Sequence, residues 1–179
     1  MNQTQLALPP TVLRAARPDD EQLLADLLGG LSPTTSFHRF MAGVASPGPE
    51  LIRGLLQTDP DRGAVLALRP HPGGTRAVGH ASWVVTPRGA ADLAVVVADA
   101  EQGRGVGSAL FAAAAERAAA AGATSVHLDV HPENRRVAAA LRRRLGGSAV
   151  SWRHGLLSVE GSLADVVGRL ATRLAAPAA

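Results

Sequence analysis

The stretch DAEQGRGVGSALF, residues 99–111, follows directly on the apolar run LAVVVA (93–98) and carries glycine at 103, 105 and 107. An Ala-rich run, ending at Gly122, comes after it. The pattern predicts a strand, a glycine-rich turn and a helix. The first N–H groups of a helix lack internal partners, and its N-terminus carries partial positive charge. Such a turn is suited to an anion. Gly103, Gly105 and Gly107 would let N–H groups converge on a pyrophosphate without Cβ collisions, and Arg104 could add a charge-assisted contact. A plain turn with helix-packing glycines fits the spacing equally well.

Two common phosphate loops fail on residues. A Walker loop needs lysine, and all 18 basic residues here are arginine. A dinucleotide fingerprint needs a third glycine where Ser108 stands, and an early parallel unit. Here RAVGHASWVVTP and GAADLAVVVADA read instead as an antiparallel hairpin through TPRGA.

Working outward, TVLRAAR (11–17) reads as a first strand and PDDEQLLADLLGGL as a helix with Leu23, Leu24, Leu27 and Leu28 on one face. SPTTSFHRFMAGV and PGPELIRGLLQTD read as short helices, and RGAVLALRP as a strand. Beyond the glycine turn, TSVHLDVH (124–131) is a strand and PENRRVAAALRRRLGG a helix opened by Pro132. SAVSWR and GLLSVEG read as two last strands, before a terminal helix or tail within 161–179. The expectation is one domain over 1–179, with a flexible arm at 1–10.

Composition narrows the function. Hydrophobic residues make up 46% and aromatics 3%, so the core is built of Leu, Val and Ala. Absence of cysteine excludes disulfides, thiolate catalysis and Cys-ligated zinc, and fits a reducing compartment. No basic leader with an apolar stretch opens the chain, and no run approaches the roughly 18 to 20 apolar residues of a membrane span. A cytoplasmic protein without a membrane partner is expected. The pI of 11.1 reflects arginine's persistent charge, but the formal net charge is only +3. The one dense basic run, RRVAAALRRR (135–144), has almost no aromatics for base stacking, so no nucleic-acid partner is expected.

The turn resembles the acyl-CoA signature of the GNAT superfamily of N-acetyltransferases, Gln/Arg-x-x-Gly-x-Gly/Ala. Gln102, Gly103, Arg104, Gly105, Val106 and Gly107 match it in full, and SAL follows from Ser108. TSVHLDVHPENRRVAAALRRRLGG is similar to that family's next strand and helix. LSPTTSFHRFMAG (31–43) and AADLAVVVADAEQGRGVGSAL (90–110) resemble segments of the GNAT domains of bacterial protein lysine acetyltransferases. The resemblance implies an α/β (α+β) fold with a central, mostly antiparallel sheet, splayed at 93–98 and flanked by helices. It implies acetyl-CoA as cosubstrate, with Val95, Val96 and Val97 giving backbone contacts to the pantetheine arm. It places the pyrophosphate on the turn from Gln102 to Ser108, and Asn134 against the CoA arm. Asn134 reads equally as a helix cap. Arg135, Arg142 and Arg143 either reach the CoA 3′-phosphate or lie on a solvated helix face.

Amine acylation needs a positioned amine, a route for its proton and a polarised carbonyl. Asp92, in an otherwise apolar strand, is the lead base. The related lysine acetyltransferases carry Glu there, so the carboxylate is shortened by one methylene and suits a water relay. A solvent-facing strand-end Asp is the plainer reading. His80 is the second candidate, placed by alternation on one face with Val78, Ser82 and Val84, where a hydrogen-bonded structural histidine is the simpler role. His127, Asp129 and His131 share a face at period two, which reads as a solvent side rather than a metal site, so no metal is expected. Many family members use Tyr as general acid. This chain has none, and Arg142 stands at that position, with Gly147 in place of Phe. A thiol is a good enough leaving group to depart without an acid.

The expected reaction is acetyl transfer from acetyl-CoA to a primary amine, either a protein lysine or a small molecule, by a chain that allows a homodimer. The alternative is a degenerate module that binds acetyl-CoA as a sensor or interaction partner without turnover.

Overall fold

The computed structural model describes residues 10–43, 47–145 and 150–171. Residues 1–9 of the arm predicted at 1–10, Gly147 and the tail beyond Ala171 lie outside these residues.

Strand β1 (Val12–Ala15) leads through a 3-10 turn (Pro18–Asp20) into α1 (Glu21–Gly29). Asp20 fixes this corner, accepting from the Arg17 N–H at 2.7 Å and from both terminal nitrogens of Arg14 at 2.7 and 2.6 Å. Helices α2 (Pro33–Phe40) and α3 (Pro49–Leu56) each carry proline in the first turn, where its missing N–H has no intrahelical bond to lose. Ser32 caps α2 by accepting the Thr35 N–H at 3.2 Å.

The sheet adds β2 (Arg62–His71), β3 (Gly74–Val85), β4 (Ala90–Val97), β5 (Ser125–Val130), β6 (Val150–Arg153) and β7 (Leu156–Ser162). Its order is β1-β2-β3-β4-β5-β7-β6. Among the described strands only β4 and β5 are parallel, and the crossover between them contains α4 (Val106–Ala120). Their ladder pairs Ala90 with Ser125, Ala91 with Val126 and Asp92 with His127, then stops. From Leu93 onward β4 parts from β5, the splay expected at 93–98.

Two cores sandwich the sheet. Val65, Ala81, Leu93 and Val126 pack against Leu110, Ala114 and Ala118 of α4 and Val166 of α6 (Leu163–Ala171). Leu66, Leu68, Ala77 and Val96 pack against Leu24 and Leu28 of α1 and Ile52 and Leu56 of α3. Helix α4 approaches closely because β3 offers Gly79 beneath it, where a Cβ would stand 2.7 Å from Leu110 Cδ1.

Strict alternation in β3 fails at one point. A register shift between Ala67 and Leu68 leaves Val78 as the extra residue, Gly79 facing Ala67 and Ala77 facing Leu68. Val78 therefore joins the α4-side core, not the face that His80 shares with Leu66 and Val96. Helix α5 (Arg135–Leu145) likewise begins later than Pro132, because Asn134 caps it with its side-chain oxygen on the Val137 N–H at 3.3 Å.

Candidate active site

After β4 the chain makes a 3-10 turn (Asp99–Glu101) and then passes through Gly103 at φ +80° and Gly105 at φ +84°. Both lie in the left-handed region, which side chains disfavour. Gly105 is the N-cap of α4 and has no side chain to offer the helix's first N–H groups. The helix they open is 15 residues long, and its N-terminus directs a partial positive charge at the turn. At Gly103 a Cβ would collide with the Arg136 guanidinium, which reaches over from α5. Gly107 faces β4, where a Cβ would only touch Val97 Cγ2 at 3.5 Å. Val106 is buried, and Ser108 is half-buried in the first turn.

The turn is charged positively by design of its entry. Glu101 is 4% exposed and accepts from Arg69 at 2.6 Å, Arg76 at 2.8 Å and Arg104 at 3.3 Å. One carboxylate among three guanidinium groups leaves an excess of positive charge beside the glycines. Arg104 is thus oriented by Glu101, three residues before it. Arg136 was hidden in the basic run, where nothing in the spacing separates one arginine from its neighbours.

Gln102 turns inward. Its Nε2 donates to Val97 O at 3.2 Å and to Thr35 Oγ1 at 3.3 Å, pinning the turn to β4 and α2. Asp99 accepts from Ser32 N at 2.9 Å, Ser32 Oγ at 2.8 Å and Thr35 Oγ1 at 2.7 Å. Burial raises the Asp99 pKa, but the hydrogen bonds from Ser32 and Thr35 outweigh it and hold the carboxyl below its usual range. The other end of α2 reaches the segment after β5: the His131 ring lies 5.0 Å from Phe37, edge-on, and 5.7 Å from His38, stacked. Helix α2 therefore bridges the gap where β4 and β5 separate. Val95, Val96 and Val97 lie along the separated part of β4, with Val96 buried beneath the α1–α3 side.

On that same side, Asp92 occupies the last paired rung before the splay, with its side chain 65% exposed. His127 stands beside it, Nδ1 3.7 Å from Asp92 Oδ1 and Nε2 3.5 Å from Asp129 Oδ1. Asp129 is held by the buried Ser158 hydroxyl at 2.5 Å. Arg39 of α2 donates from Nη2 to Ser82 Oγ at 3.1 Å, while its buried Nε has no partner among the described residues. Burial lowers the Arg39 pKa, and the Asp92 charge opposes that shift.

His80 is separate from this group. It is fully buried under α3, with Nε2 3.2 Å from Leu55 O, and its Nδ1 has no partner among the described residues. Burial, then the positive charge of Arg39, push its pKa down to about 4 against the pull of the Leu55 carbonyl. Asn134 serves as the α5 cap. Arg142 packs over the Trp152 ring at 5.4 Å.

A sheet opened between its two parallel strands, with an uncapped glycine turn starting the crossover helix at that opening, defines the acyl-CoA N-acyltransferase class. The model of the Acetyltransferase (GNAT) family matches residues 38–146, more than half of the chain, and the chain belongs to that family. It is an N-acetyltransferase, and GNAT acetyltransferases use acetyl-CoA. The cradle fits that donor on its own terms, through two left-handed glycines, uncapped helix N–H groups and neighbouring arginines.

Among solved structures, the GNAT domain of S. lividans PAT matches with TM-score 0.72 and 22% identity, over 84% of this chain and 89% of that one. The yncA protein of Salmonella typhimurium, solved with acetyl-CoA, matches with TM-score 0.62 and 17% identity, over 86% and 94%. Spermidine N-acetyltransferase from Vibrio cholerae, solved with CoA and spermine, matches with TM-score 0.63 and 14% identity, over 88% and 98%. Each shares the fold. Comparison with curated proteins by sequence finds no match. No helix among the described residues is long and apolar enough to cross a membrane.

Proposed function

We propose that this chain acetylates a primary amine that enters beneath α2, and that Asp92 takes the proton the amine must lose. The observation that carries the reading is the position of Asp92, an exposed carboxylate on the last β4–β5 rung before the strands part. An alkylammonium with pKa near 10.4 is almost wholly protonated at neutral pH, so a base beside the splay has a task. Bound acetyl-CoA supplies a thioester carbonyl for the amine to attack. Gly103, Gly105, Val106, Gly107 and Ser108 would hold its pyrophosphate through the backbone, with Arg104 and Arg136 as counter-charges, and Asn134 would meet its arm.

His127 gives the proton its next stop, since its two nitrogens face Asp92 and Asp129. His80 takes a structural part in this reading, because burial isolates it from any substrate. No tyrosine exists to protonate the leaving thiolate, and Arg142 lies on Trp152, so the thiolate departs to water. A protein lysine is the acceptor favoured by the resemblance of residues 31–43 and 90–110 to lysine acetyltransferase segments, and a polyamine, by likeness to spermidine N-acetyltransferase, is the competing one. The cysteine-free sequence suits the reducing cytoplasm as the site of action.

The test is thiol release from acetyl-CoA with a panel of polyamines, amino acids and lysine-containing proteins, alongside calorimetry with acetyl-CoA alone. Asp92→Asn is expected to lower kcat/KM by about 10² to 10⁴ while leaving acetyl-CoA affinity unchanged. An unaltered pH–rate profile in that variant would refute the base. Binding without release across the whole panel would make the chain a sensor.

A further inference from the structure

We propose that His38, His131 and Glu133 form a site for a divalent metal ion of the zinc class, where α2 meets the segment after β5. Their ligating atoms all lie within 4.8 Å of one another. Two of the three are imidazoles from distant parts of the chain, stacked at 5.7 Å between centroids. His38 Nε2 is buried and has no hydrogen-bond partner among the described residues. A buried ring nitrogen in that state carries a desolvation penalty that a bound ion would offset. Glu133 is exposed, and its N–H meets His131 Nδ1 only at a long 3.3 Å. That contact gives way if the ion takes either ring nitrogen.

The donor set selects the ion. Two imidazoles and one carboxylate, with a position left for water, is a zinc-type set rather than a magnesium or calcium one. Around tetrahedral zinc, bonds of about 2.0–2.2 Å put ligand atoms on the order of 3.3 Å apart, within reach of a small movement of the Glu133 side chain. Sequence periodicity groups His131 with His127 and Asp129, and on that grouping no metal is expected. The fold separates them: β5 ends at Val130, Asp129 is held by Ser158, and the two carboxylates beside His127 face opposite nitrogens and cannot chelate with it. His131 instead turns to α2. An ion there would fasten α2 to the end of β5, across the splay it already bridges.

The full chain, titrated with zinc in competition with a chromophoric chelator, tests this independently of acetyl transfer. The absence of cysteine removes the usual competing thiolates. The expected result is one zinc per chain and a higher melting temperature, with His38→Gln and His131→Gln each weakening binding by about tenfold or more. His127→Gln and the exposed His71→Gln should bind as the parent does. Should either ligand variant fold poorly, the zinc-induced shifts of the His38 and His131 imidazole resonances in the parent chain decide the matter. No stoichiometric binding, binding unaffected by both ligand substitutions, loss of binding in His127→Gln, or zinc shifts confined to other histidines would each overturn the site.

Discussion

Arg69 and Glu101 meet at 2.6 Å with only 6% and 4% of their side chains exposed, and so the C-terminal end of β2 fixes the entry to the glycine turn. Breaking a buried pair by removing one partner leaves an uncompensated charge, at a cost of about 3–5 kcal/mol. Glu101→Gln strands the buried Arg69 and also releases Arg76 and Arg104, so it should lose that much in urea unfolding and weaken acetyl-CoA binding as well. Arg69→Met should cost less, since Glu101 keeps Arg76 and Arg104. Equal losses in the two variants would contradict this arrangement.

Gly103 and Gly105 share a left-handed backbone but not their surroundings. Alanine at 105 meets open space, so Gly105→Ala should cost only the conformational penalty of roughly 1–2 kcal/mol. Alanine at 103 must also displace the Arg136 guanidinium. Gly103→Ala should therefore reduce acetyl-CoA affinity more. Calorimetry on Gly103→Ala in the parent and in the Arg136→Ala background, each against its own reference, separates the crowding from the backbone strain, since only the first pair contains the crowding.

His80 gives stability a pH dependence with a definite sign. Its folded pKa of about 4 lies below the ordinary value of 6.5, so between these pH values the unfolded chain binds more protons. The contribution is fully present above pH 6.5 and is lost as pH falls toward 4, by up to about 3 kcal/mol. Asp20 and Asp99, both held below the usual carboxylate range, lose their contributions only at lower pH. Unfolding free energies measured from pH 4 to 7 should show the slope in the parent chain and a flatter line in His80→Gln. Parallel slopes would exclude the assignment.

Asp99 ties α2 to the end of β4 through Ser32 and Thr35. The carboxylate is exposed, so Asp99→Ala should cost only about 1 kcal/mol in global stability. Its local effect should be larger, with faster amide exchange in α2 and a raised KM for the amine. Amide exchange by mass spectrometry reads this directly, and unchanged protection of 33–40 would show that the tie does not hold the helix.

The glycine turn, the β3–β4 hairpin and the order of helices and strands were legible in local pattern. They follow from apolar spacing, from proline and glycine at element ends, and from backbone freedom at Gly103 and Gly105, all of which are properties of neighbours in sequence. Val78 was misplaced because a bulge depends on the partner strand, and no feature of β3 alone announces the shift opposite Ala67. Arg136 was indistinguishable within its basic run for the same reason: only the packing of α5 decides which arginine reaches the turn. The nearness of Asp92, His127 and Asp129 required the parallel rung between β4 and β5. That of His38 to His131 required α2 to cross the splay. Sequence by itself determined the elements and the glycine turn, since short-range sterics and periodicity suffice for both. Tertiary structure alone decided which charges and imidazoles face one another, because those distances are set by strand register and helix packing between residues far apart along the chain.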